Sequence, residues 1–281
     1  MTLVTKYFVR KWLLLLVIFL LSQALSAEDS AFQDPNVSKE IITIIGARQH
    51  PYLKQANFAY RTDDLDALYK RANYQLLWLG NSQSALNTAD ALDLLANAPA
   101  QGLVRENYDV DLLRAKYNSV LALPPTAYKE LALYDTALSI SLLRFLHDMH
   151  YGRVNPQDIN FKLQLREKKL IDLPTSIKDS LFLNTVSKLP LLVEPKLHQY
   201  QKLKSALAAY RLIAEKSSGL NFVNKGKLRL GEYHPQLAEL SKLLASLGDL
   251  SEYGIVSSSE KKSRYTPELV EAVKNFQLRH G

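Results

Sequence analysis

The sequence predicts a mainly α fold: a helical bundle scaffold with one or two short strands, followed by an incomplete three-helix module. Three observations carry this. Apolar residues recur at i, i+3, i+4 spacing through most of the chain beyond residue 60. Gly and Pro stand mostly between those stretches, where they end helices. The longest stretch, Thr126–Tyr151, contains neither and carries a wide apolar stripe, as the central helix of a bundle would. With 281 residues, 47% of them hydrophobic, the chain has enough apolar material for a real core.

The first element is an export signal. Lys6, Arg10 and Lys11 precede the apolar run Trp12–Leu21, and small residues lead to Ser26 and Ala27 before acidic Glu28 and Asp29. Residues 1–27 therefore read as a signal peptide cut after Ser26 or Ala27, or as a retained signal anchor. Either reading leaves the rest of the chain outside the cytoplasm of a bacterium, in the periplasm. Residues 28–60 read as a tether with one ordered piece around Ile41, Ile42, Ile44 and Ile45.

Residues 61–229 read as the bundle. Thr62 or Asp63 starts a helix carrying Leu65, Leu68 and Tyr69. Tyr74–Leu79 is short and apolar, and reads as a buried extended segment. Ser84 or Asn87 starts a helix with Leu92, Leu94 and Leu95, and Tyr108–Leu121 is the next, stopped by Pro124-Pro125. The central helix puts Leu131, Tyr134, Leu138, Leu142, Phe145 and Met149 on one face before Gly152. A helix is expected over Thr175–Lys188 and another from Pro195 to about Lys216, with a short strand at Leu220–Val223. Residues 230–281 read as the smaller module. Its first helix carries Leu237, Leu240, Leu243, Leu244 and Leu247, and its second opens at Thr266-Pro267-Glu268.

Composition and motifs exclude several chemistries. The sequence has no Cys, so disulfides, thiolate nucleophiles and Cys-held metals are absent. The net charge of +7 falls to roughly +4 without the basic residues of the leader, a weak argument for nucleic acid, and no nucleic-acid partner is expected. His147-Asp148-x-His150 has metal-ligand spacing, but His at a helix C-terminus is ordinarily a dipole partner, and no metal or other cofactor is expected. Ser259-x-x-Lys262 matches a serine-nucleophile motif but lies in a charged, Ser-rich loop without its partner motifs. The acidic pairs Asp63-Asp64 and Asp109-x-Asp111 sit where helix starts favour acid, and no catalytic residues are expected. Tyr265, Gln277, Arg279 and His280 combine ring, amide and cation, and are the candidate polymer-binding residues.

The order of several short motifs resembles a known family. Leu68-Tyr69, Tyr74–Trp78, Ala100-Gln101-Gly102-Leu103 with Tyr108, and Gly152–Pro156 resemble the scaffold domain of YcbB-type periplasmic L,D-transpeptidases. Tyr200–Leu207 with Tyr210-Arg211 is similar to the helix leaving that scaffold. His234–Leu250 and Tyr265–Gly281 resemble the first two helices of a three-helix peptidoglycan-binding domain. The resemblance implies wall binding and support for a catalytic domain whose Cys nucleophile this chain lacks. That domain, continuing past residue 281, and peptidoglycan are the implied partners, with the membrane touched only through an uncleaved leader. Gly219-Leu220 stands where the family has Gly-Trp. The alternative is a stand-alone periplasmic adaptor that holds partner proteins on its helical faces.

Overall fold

The structure is a computed structural model and describes residues 34–80, 82–153, 171–216, 222, 226–256 and 264–281. The leader with Ser26 and Ala27, the Ser259–Lys262 motif and nearly all of Leu220–Val223 lie outside the described residues. The fold is mainly α, as expected. Its helices are α1 (Pro35–Ala47), α2 (Thr62–Lys70), α3 (Ser82–Ala96), α4 (Val110–Leu121), α5 (Tyr128–Tyr151), α6 (Leu173–Leu183), α7 (Leu189–Val193), α8 (His198–Lys216), α9 (Leu237–Ser246) and α10 (Pro267–His280). The chain divides between Lys196 and Leu197 into two compact units. Among the described residues no helix is long and apolar enough to cross a membrane.

In the first unit α5 is the axis. It contacts α1, α2, α3, α4, α6 and α7. From Leu131 to Leu146 it is buried without a break, so its neighbours cover it on every side and not along one stripe. The ordered piece expected within residues 28–60 is α1, capped by Asp34, whose side chain accepts from Asn36 N, and opened by Pro35. α1 buries Val37, Ile41, Ile44 and Ile45 in the same core as α5.

The short strands are not found among the described residues, which hold only the isolated bridges Gln49–Asn57 and Tyr233–Arg264. Tyr74–Leu79 is buried towards its end, at Leu77, Trp78 and Leu79, but does not pair as a strand. Its backbone donors are satisfied by a side chain. Asp135 on α5 accepts from Leu77 N (3.0 Å) and Trp78 N (2.8 Å), and from the Tyr69 hydroxyl (2.6 Å). Ser139, one turn on, accepts from the indole N–H of Trp78 at 2.8 Å. Thr88 on α3 donates to Trp78 O at 2.7 Å. A buried backbone must find partners, and here a carboxylate replaces the neighbouring strand.

One expected helix starts later than its spacing implies and another is broken, each at a polar residue in left-handed backbone. Asp109 has φ 53° and separates a turn at Arg105–Tyr108 from α4, while its Oδ1 accepts from Lys54 N at 2.9 Å. Asn184 has φ 53° and ends α6, so the stretch expected as one helix to Lys188 becomes α6, a turn and then α7. Asn87 on α3 donates to Leu181 O (3.0 Å) and Asn184 Oδ1 (3.2 Å), tying α3 to that break.

The second unit has its own small core of Leu237, Leu240, Leu244, Leu250, Tyr265, Leu269 and Ala272, where α9 meets α10. α10 begins as its sequence implies. The Thr266 hydroxyl accepts from Leu269 N, Pro267 is the first helical residue and Glu268 lies in the first turn.

Candidate functional site

Of the four polymer-binding candidates, three sit on the surface at the end of α10. Gln277 shares a shallow depression of about 450 Å³ with Lys274, Leu278 and Gly281. Leu278 is 84% exposed there. Arg279 reaches from α10 to two other segments of its unit. It donates to the Tyr210 hydroxyl on α8 at 3.0 Å and pairs with Asp249, which follows α9. The Asp249 carboxylate raises the guanidinium pKa further. The His280 ring lies 4.4 Å from that of Phe276. Tyr265 is placed differently. Only 8% exposed, it belongs to the core, and its backbone bonds Gly231 N (2.9 Å) and Glu232 O (2.8 Å). Burial raises its phenol pKa, and a ring so enclosed presents little surface to a polymer.

The first unit carries a larger groove of about 540 Å³. Three segments meet at it. The start of α2 contributes Arg61 and Asp64, the end of α5 contributes His147 and Tyr151, and the start of α6 contributes Asp172 and Leu173. Arg61 Nη1 pairs with Asp64 Oδ2 at 2.7 Å, and Arg61 Nε is a buried donor with no acceptor. The rings of His147 and Tyr151 lie 4.7 Å apart, and the Tyr151 hydroxyl accepts from Ile171 N at 3.1 Å. Asp172 caps α6 by accepting from Thr175 N at 3.0 Å and pairs with Arg71 at 3.3 Å. Those bonds, the Thr175 ones first, hold its carboxyl below the usual range.

Outside the groove, the His150 ring packs edge-on against Tyr151 at 4.5 Å. Its Nδ1 bonds Val193 O on α7 at 2.8 Å. His147 Nδ1 lies 3.6 Å from Asp148 Oδ1, and Asp148 also accepts from the Tyr108 hydroxyl at 2.8 Å. Among the described residues no group of three or more His, Asp or Glu is placed to hold a metal ion. Asp63 and Asp64 lie in the first turn of α2, and Asp111 in the first turn of α4.

Sequence spacing could not assemble this groove, because Arg61, Tyr151 and Asp172 belong to three segments far apart in the chain. The internal carboxylate left a signal, since an acid inside the apolar run Leu131–Leu146 is rare unless paired.

With these positions fixed, the comparisons acquire a frame. A family model for a scaffold domain matches residues 63–207, which is α2 through the first half of α8. The chain belongs to the scaffold-domain family. The match takes in the central helix α5, the Asp135 network and the groove apart from Arg61. Asp34–Ala47 and the second unit's α9 and α10 lie outside the scaffold-domain match. Neither a curated protein nor a solved structure matches the chain.

Proposed function

We propose that this chain is the noncatalytic, wall-binding part of a YcbB-type peptidoglycan L,D-transpeptidase, working in the periplasm. The observation that carries the proposal is the scaffold-domain match over residues 63–207, the region holding the motifs that resemble that family. In this reading the first unit is a support and α9–α10 are part of a peptidoglycan-binding module. Gln277 and His280 contact the wall polymer, and Arg279 braces the end of α10 through Asp249 and Tyr210. A domain bearing a Cys nucleophile is the proposed partner, because the sequence itself offers no thiol. Residues 1–27 act as the export signal.

The test is co-sedimentation of the purified chain with insoluble peptidoglycan, alongside an assay for muropeptide crosslinking. Weak, saturable sedimentation that falls several-fold in Gln277→Ala is expected, with no crosslinking. Covalent acyl capture by this polypeptide alone, or no sedimentation, would overturn the proposal.

One observation favours the adaptor as a second reading. Phe182 and Leu183 at the end of α6, and Leu191 and Leu192 on α7, are all exposed, Phe182 to 78%. α6 and α7 are in contact, and large apolar side chains grouped on one corner are the usual mark of a protein-docking surface. Retention of partner proteins that Phe182→Ser with Leu192→Ser abolishes, while wall sedimentation stays absent, would select it.

A further inference from the structure

We infer that residues 48–58 form an acid-released strap across α5, latched by His50 and Arg144. The strap does not depend on the wall-binding reading.

The segment is closed on itself and tied down at three points. His50 N bonds Ala56 O at 2.8 Å and Phe58 N bonds Arg48 O at 3.1 Å, so its two ends are held together. At the first tie the fully buried His50 ring reaches α5, with Nε2 3.1 Å from Leu133 O and 3.2 Å from Thr136 Oγ1. At the second, Arg144 Nη2 donates to Gln55 O (2.7 Å) and Asn57 O (3.0 Å). At the third, Lys54 N donates to Asp109 Oδ1, just ahead of α4. Thr136, Ile140 and Arg144 follow one another at one-turn spacing, so the strap lies along the face of α5 that carries the fully buried Ile140. It precedes residue 63, and so overlies the matched part of the bundle without being part of the match.

Both latches on α5 answer to one proton. His50 Nδ1 accepts from Tyr52 N at 3.2 Å, which places the ring's proton on Nε2. A second proton, taken from solvent onto Nδ1, sets two donors face to face and removes that bond. It also puts a new buried cation near an existing one. Arg144 is 3% exposed, its Nε and Nη1 have no acceptor, and its hydrogen bonds go to carbonyls and not to a carboxylate. Burial first, and then the Arg144 charge, keep the ring neutral. Other charges stand behind Tyr52, whose ring meets His50 edge-on at 5.7 Å. Lys116 of α4 lies 4.2 Å from the centre of the Tyr52 ring, and Glu130 of α5 acts on its phenol. The buried side chains of α1 are all apolar, and Arg48 and Lys54 of the strap are exposed. A proton therefore binds the lifted strap and not the latched one. The latch holds fully above the ordinary histidine pKa of about 6.5 and weakens as pH falls towards 4.

The experiment follows amide exchange of the purified full chain by NMR from pH 6.5 to 4, corrected for the intrinsic pH dependence of exchange. Opening at the Tyr52 and Lys54 amides should rise roughly tenfold for each pH unit lost, while Leu142 and Phe145 in α5 keep their protection. His50→Gln should make strap opening independent of pH. Arg144→Gln removes the neighbouring charge, and should move the titration of the His50 ring upwards, read from its C–H signals. The ring titration is also read in the parent, so it decides the matter even where a variant fails to fold. A ring that titrates at its ordinary pKa in the native chain overturns the strap. So do strap amides whose opening ignores pH, equal loss of protection along α5, or pH dependence that persists in His50→Gln.

Discussion

Two buried titratable side chains, Asp135 on α5 and His50 bonded to it, give the first unit opposing responses to acid. His50 accepts from Tyr52 N at its Nδ1, so its proton sits on Nε2 and is donated to Leu133 O, 3.1 Å away. Burial lowers its pKa to about 4, and the Arg144 charge adds to that. A histidine kept neutral by folding supports the fold fully above its ordinary pKa of about 6.5, and that support is lost as pH falls towards 4. Asp135 behaves in the opposite sense. Complete burial raises its pKa to about 6, outweighing the hydrogen bonds that lower it. Its contribution is greatest below about pH 4 and declines as pH rises through 6. Over pH 4–6 the two slopes offset each other. His50→Gln keeps a donor for Leu133 O but cannot titrate. The stability gap between parent and variant should therefore widen by about 3 kcal/mol from pH 4 to 6.5. Urea unfolding at a series of pH values measures this, and a constant gap would contradict the assigned burial of His50.

At the scale of elements, boundaries were the hard part to read. Existence and order of the longer helices from α2 onward followed from periodicity, while α7 was not foreseen, and the Thr266-Pro267 start of α10 followed from capping chemistry. Asp109 moved a helix start and Asn184 broke a helix that its neighbours' spacing would have continued, because their side chains answer to distant partners, Lys54 N and Asn87. Tyr74–Leu79 showed its burial in its composition but not its pairing, since the partner was one carboxylate some 60 residues away and not another strand. The groove was illegible for a related reason. Its Arg, Tyr and Asp each had an ordinary local role, in a helix start, a helix end or a cap. Asp109 also allows a separation of effects. Asp109→Gly accepts φ 53° but loses the bond to Lys54 N, whereas Asp109→Ala loses both. Alanine should be less stable than glycine here by about 1 kcal/mol, the reverse of the order in a helix interior. Chemical denaturation of the pair checks this, and equal stability would mean the left-handed backbone carries no strain.

For the whole molecule, the two units differ greatly in apolar content. The first has an extensive core around α5, while among the described residues the core of the second is seven side chains. The second should open first. Trp78 is fully buried in the first unit, and Trp12 is the only other tryptophan in the sequence. In Trp12→Phe, fluorescence therefore follows the first unit alone while far-UV circular dichroism follows both. The two probes should give separate urea midpoints, with the fluorescence change later. Coincident curves would show that the units unfold together.

The position of α5 in the chain also has a consequence during synthesis. The described helices α1 to α4 leave the ribosome before it, and each must bury part of its apolar side against a partner not yet made. Until about residue 150 has emerged, those helices offer greasy surface to whatever is nearby, which makes the nascent chain a natural client for holding chaperones. A stall or truncation ahead of Tyr128 would leave an aggregation-prone stub and not a smaller version of the bundle.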